Sequence, residues 1–169
     1  MKNRRLSSLP VTIAMSLHRM AEKDDPQVAP ETLHLPEAVH SRFREKLFLY
    51  RGANVLLALT DRVNPSNDGR DPLFEPVLQE YERIIFPEDP VVRAGMRQSM
   101  MAALQDLRLR MHPPMGNRYE SAREWSRNWF ASIGHNELNP ARLEQFSLFW
   151  SDEYTAVRKT LEEMVEGRT

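Results

Sequence analysis

The chain has 169 residues, with 23 Lys and Arg against 24 Asp and Glu, and so a formal net charge of −1. That balance argues against nucleic-acid binding by bulk charge and leaves only a local basic face for such a role. Hydrophobic residues make up 41% and charged residues 28%, which excludes wholesale disorder, and the absence of Cys removes disulfide frameworks, thiolate zinc sites and cysteine nucleophiles together.

The N-terminal stretch from Met1 to Ala21 has no acidic residue, while Lys2, Arg4, Arg5 and Arg19 are basic. Such a start resembles an organellar transit peptide and, less closely, a secretory signal. Pro10, Thr12 and Ser16 interrupt the apolar run, and His18 and Arg19 stand where a cleavage site would fall. Leu9, Ile13, Leu17 and Met20 recur at helical spacing, which predicts a short amphipathic helix that docks as an arm. Asp24, Asp25, Pro26, Pro30 and Pro36 then break any helix, so residues 1–35 read as an arm with a Pro-containing linker.

Residues 36–169 read as a helical bundle. A first helix is expected from Pro36 to Val63, apolar nearly all round from Leu47 to Leu59 and therefore central. Gly52 and Ala53 in it permit a close crossing. A short second helix starts near Pro72 or Pro76 and ends at Phe86. The third is capped by Asp89, has Pro90 in its first turn, and runs to Met111. The fourth starts at Asn117, with Glu120 placed as in a capping box, and stops at Gly134. The fifth is capped by Asn139, with Leu138 and Leu143 at staple positions, and carries a narrow seam through Phe146, Trp150, Tyr154, Val157, Leu161 and Met164. No stretch reaches the roughly 18 to 20 apolar residues of a membrane-spanning helix. The expected fold is all-α: five main helices and an N-terminal arm.

Three patterns bear on chemistry. Residues Asn64 to Glu75 resemble a twelve-residue EF-hand calcium loop, with Asn64, Ser66 and Asp68 at positions 1, 3 and 5, Gly69 at 6 and Glu75 at 12. Asn64 in place of Asp, Asp71 in place of an aliphatic residue, and Pro65 and Pro72 all depart from that pattern. A plain turn with Asp71 capping the next helix explains the same residues. Glu37 and His40 sit three apart, as in helical di-iron sites, but only one such pair exists. The metal reading therefore rests on Asn64, Ser66, Asp68 and Glu75, or on Glu37 and His40, and no cofactor is expected.

Arginine is the stronger bias, with 19 Arg against 4 Lys. Arg93, Arg97, Arg108, Arg110, Arg118, Arg123 and Arg127 fall within 35 residues that hold only Asp106, Glu120 and Glu124 as acids. With Trp125 and Trp129 alongside, this stretch could contact phosphate and stack on bases, or form a paired, solvated face, or meet a protein. Met96, Met100, Met101, Met111 and Met115 suit a core or an adaptable surface. Phe149 and Trp150 are adjacent, so one of them is expected to be exposed or to meet another chain.

No phosphate-binding Gly loop, nucleophile elbow or metalloprotease motif is present. The expectation is a non-catalytic, cytoplasmic interaction protein, an adaptor or complex subunit. Leu9, Ile13, Leu17, Met20 and Phe149 are its candidate contacts with a protein partner or a second copy in a homodimer. A helical nucleic-acid-binding subunit using the seven arginines is the first alternative, and the metal-dependent protein the second.

Overall fold

Two caps set the long C-terminal elements. Asp89 Oδ1 accepts from the amides of Val91 and Val92 at 2.9 and 3.0 Å, and Asn139 Oδ1 accepts from the amide of Arg142 at 2.9 Å. The computed structural model describes residues 2–63, 71–111 and 118–167 and shows helices only. They are α1 (Lys2–Glu22), α2 (His40–Val63), α3 (Phe74–Ile85), α4 (Pro90–Met111), α5 (Arg118–Ala131) and α6 (Pro140–Glu166). Single 3-10 turns cover Pro26–Val28 and Glu37–Val39. Among the described residues no helix is long and apolar enough to cross a membrane.

The helix starting at Pro36 is thus split between a 3-10 turn and α2, and the cap expected at Asn117 lies outside the described residues. α5 ends in a turn with the amide of His135 on the Phe130 carbonyl and that of Gly134 on the Ala131 carbonyl. Gly134 has φ of 87°, as the left-handed position of that turn requires.

α2 is the central element and touches α1, α3, α4 and α6. Every residue from Tyr50 to Leu59 is buried. Gly52 lets α4 approach closely, because a Cβ there would stand 3.2 Å from Met100 Cε. Phe43, Tyr50, Trp125, Trp129, Phe130, Phe146 and Trp150 pack as one aromatic interior between α2, α5 and α6.

Two expectations are corrected. The N-terminal segment is a sixth helix within the body, since α1 runs unbroken through Pro10 and packs on α2, α3 and α6. Ile13, Ala14 and Leu17 are fully buried in the common core, and Leu9 and Met20 are half-buried against it. The segment after it is ordered: Val28, Leu33 and Leu35 belong to the same core. Phe149 and Trp150 are both buried. α6 meets α2 and α5 as well as α1, so the buried face is wider than a seam and covers both rings.

Candidate partner-binding groove

Phe48 lies on α2 beside the buried stretch, yet it is 44% exposed. It borders two cavities. The larger, about 640 Å³, lies between α2 and the segment that follows α1, with Val28, Phe43 and Leu47 among its apolar walls. The smaller, about 240 Å³, lies among α1, α2, α3 and α4 and is lined by His18, Tyr81 and Met96. Ala21, Glu22 and Phe48 belong to both.

Arg51, one turn from Phe48, holds this region together. Its Nε donates to Glu153 Oε1 at 2.5 Å, its Nη2 to the Met20 carbonyl at 2.8 Å, and its Nη1 to the Lys23 carbonyl. One guanidinium thereby caps the end of α1 and joins it to α6. Both partners of the ion pair are nearly buried. Burial raises the Glu153 carboxyl above its ordinary value, opposed by Arg51 and assisted by Asp25.

The groove's rim is acidic. Glu22, Asp24, Asp25 and Glu31 line the larger cavity, against Arg44 and Arg51. Arg44 pairs with Glu31 at 3.2 Å, and Arg51 is committed to Glu153 and the two carbonyls. Asp25 also caps the turn that follows, accepting from the Gln27 amide at 2.9 Å. The arrangement offers apolar volume, an exposed aromatic ring and negative charge. It contains no nucleophile with an adjacent base.

Two polar clusters elsewhere bind helices together. Asp106 on α4 accepts from Tyr50 Oη at 2.6 Å and from Trp125 Nε1 at 3.1 Å, which ties α4 to α2 and α5. Lys46 donates to the Trp129 carbonyl at 3.3 Å and to Ser132 Oγ, at the end of α5, with its ammonium 4.7 Å from the Trp129 ring centre. Burial lowers the Lys46 pKa while Asp106 raises it. The second cluster, around a cavity of about 380 Å³, brings together Arg62, Arg108, Arg158, Asp61 and Tyr154. Tyr154 Oη donates to Asp61 at 2.5 Å, and Arg62 and Arg158 both face Glu162. Burial and Asp61 push the Tyr154 hydroxyl up to about 12.

The residues singled out in sequence are placed as follows. Ile13 and Leu17 are occupied inside the chain's own core, so they present nothing to a partner, and Phe149 is buried. Met20 and Phe149 do border a small cavity of about 330 Å³ beside Arg51. The arginines form no single face. Arg97 is 3.8 Å from Glu82, Arg108 is 3.8 Å from Asp61 near the other end of α4, and Arg123 is 3.1 Å from Glu144. Arg93 and Arg97 lie over the Phe86 ring, Arg110 donates to the Ser147 carbonyl, Arg127 is exposed, and the Arg118 side chain lies outside the described residues.

Asn64, Ser66 and Asp68 also lie outside the described residues, while Glu75 is exposed in the first turn of α3. Asp71 Oδ1 accepts from the Leu73 amide at 2.9 Å in the turn before α3, but the N-cap of α3 is Leu73, with no side-chain cap, so Asp71 does not cap the helix as expected. Glu37 is exposed, and the His40 ring is hydrogen-bonded to the Leu35 carbonyl at 2.9 Å. Among the described residues no three His, Asp or Glu side chains gather as metal ligands would. Sequence reasoning missed Phe48 and Arg51. The one available signal was an Arg set within the most apolar stretch of the chain.

Compared with known protein families, curated proteins and solved structures, the chain matches none.

Proposed function

We propose that the protein is a non-catalytic interaction module whose partner surface is the Phe48 groove. The observation that carries this reading is a large aromatic ring, 44% exposed, between two apolar cavities. A soluble surface seldom spends a contiguous apolar patch of this kind without an occupant. The groove walls are fixed by the Arg51 clamp, so the surface is preformed rather than assembled on binding.

The test places a photoreactive amino acid at position 48 and, as a control, at the exposed position 127 in cells of the source organism. A single adduct formed at 48 and not at 127, and reproduced with the purified partner, is the expected result. That purified complex should dissociate on Phe48→Asp while the variant keeps its helical circular dichroism. Equal adducts at both positions, or a partner indifferent to Phe48→Asp, would overturn the reading.

A further inference from the structure

The charge around the groove narrows what can occupy it. We infer that the occupant is a basic amphipathic segment of a protein partner, with an apolar side chain beside Phe48 and Lys or Arg residues on the acidic rim. This rests on the Phe48 groove being a partner surface.

The charges lining the cavity point the same way. Of the four acids lining the larger cavity, only Glu31 is matched by a lining arginine that is not already engaged elsewhere. Glu22, Asp24 and Asp25 remain as the rim, with His18 3.3 Å from Glu22 as a partner that is cationic only when protonated. Lys23, in the same run, lines the adjoining cavity, where Asp25, Asp152 and Glu153 accompany it and leave that side acidic too.

The walls supply the other half of the specificity. Leu47 and Phe48 give the apolar face of a cavity of about 640 Å³, with the buried Val28 and Phe43 behind it, roomy enough for a bulky aliphatic or aromatic side chain. A neutral apolar segment would fill it but would cover the rim carboxylates without pairing them, which is costly. An acidic segment would add repulsion. A Lys or Arg side chain can lay its stem along Phe48 and carry its charge to Glu22 or Asp24.

Random peptides of about twelve residues, displayed on phage, should be selected on the full chain and counter-selected on Phe48→Asp. Synthetic versions of the survivors are then measured by fluorescence anisotropy at about 50 mM and about 300 mM salt. The expected survivors carry Lys or Arg around one bulky apolar residue. Their affinity should fall about tenfold or more across the salt range, and by a similar factor on the combined Glu22→Gln and Asp24→Asn variant. Survivors that need Phe48 but are neutral or acidic and indifferent to salt would overturn this inference and leave the groove reading standing. An absence of any Phe48-dependent peptide would overturn both.

Discussion

Tyr50 and Arg51 are neighbours on α2, and they fasten the helix to the rest of the fold by opposite means. Tyr50 enters the aromatic interior, with ring centres 5.7 Å from Trp129 and 5.8 Å from Trp150, and its hydroxyl is spent on Asp106. Arg51 turns toward α1 and α6 and holds them through one carboxylate and two carbonyls. Ring packing spreads a large buried area over many contacts, and losing one leaves others in place. The Arg51 side concentrates its attachment in a single charged group, which is strong only while every partner is present. The candidate groove lies on this second side. Its shape therefore depends on a few polar contacts as well as on the buried Val28 and Phe43, whereas the opposite side depends chiefly on volume.

The largest effect should come from the volume side. Trp129→Ala removes a fully buried ring that touches Phe43, Tyr50, Phe130 and Phe146. A loss of about 3–5 kcal/mol in urea unfolding is expected. A loss below about 1 kcal/mol would mean that the aromatic interior is loosely packed and the contrast with Arg51 is false.

Arg51→Met comes next. It keeps much of the side-chain volume but leaves Glu153 buried without its cation and two carbonyls without a donor. The expected cost is about 3 kcal/mol, the lower end for a broken buried pair, because Glu153 can take up a proton. The comparison sharpens if peptide or partner binding at the groove is lost in Arg51→Met and kept in Trp129→Ala at a temperature where both variants are folded.

A smaller effect separates the two sides by pH. Burial raises Glu153 above its ordinary 4.5, against the pull of Arg51. The folded chain therefore holds a proton on Glu153 over a window, starting near 4.5, in which the unfolded chain has lost it. The contribution is full below that window and is lost as pH rises through it. Glu153→Gln has no proton to lose there. Wild-type stability relative to Glu153→Gln should decline as pH rises above the ordinary carboxyl value of 4.5, measured by urea midpoints. A difference that stays flat would show that Glu153 does not titrate differently in the two states.

The same contrast explains what the sequence made legible. Helix positions rest on local signals, such as Asp89, Asn139 and Gly134, whose partners are two to five residues away. The all-α class and most of the buried core, including Leu57, Met100, Leu107, Trp129 and Trp150, follow from that periodicity. Where α1 docks is decided by contacts far along the chain, as when Arg51 meets Met20, Lys23 and Glu153. No spacing rule reveals such partners. For the same reason the seven arginines read as one basic face in sequence, although Arg108 is drawn to Asp61 on α2 and Arg123 to Glu144 on α6. Phe48 was hidden by its surroundings, since eleven apolar neighbours in one helix give no sign of which ring is left uncovered.

The smallest effect compares two turns of the same design on the two sides. After α5, the amides of Gly134 and His135 close the turn onto the carbonyls of Ala131 and Phe130. Before α2, the amides of His34 and Leu35 close a turn in the same register onto Glu31 and Pro30. The left-handed position is Gly134, φ 87°, in the first and His34, φ 53°, in the second. A residue with a Cβ is strained there, and glycine is not. The His34 side chain is exposed, so little else is lost with it. His34→Gly should stabilise the chain by about 1 kcal/mol or less, a rise of about 2–4 °C in Tm at most, because the added freedom of the unfolded glycine offsets part of the relieved strain. Gly134→Ala should cost about 1 kcal/mol, since it imposes the strain that His34 already bears and brings a Cβ to 3.4 Å from Arg42 Nη1. Opposite signs from these two substitutions in thermal unfolding would establish that the wall of the groove, unlike the aromatic side, is held in a conformation its sequence does not favour. A loss of stability from His34→Gly would place the His34 side chain in a structural role instead.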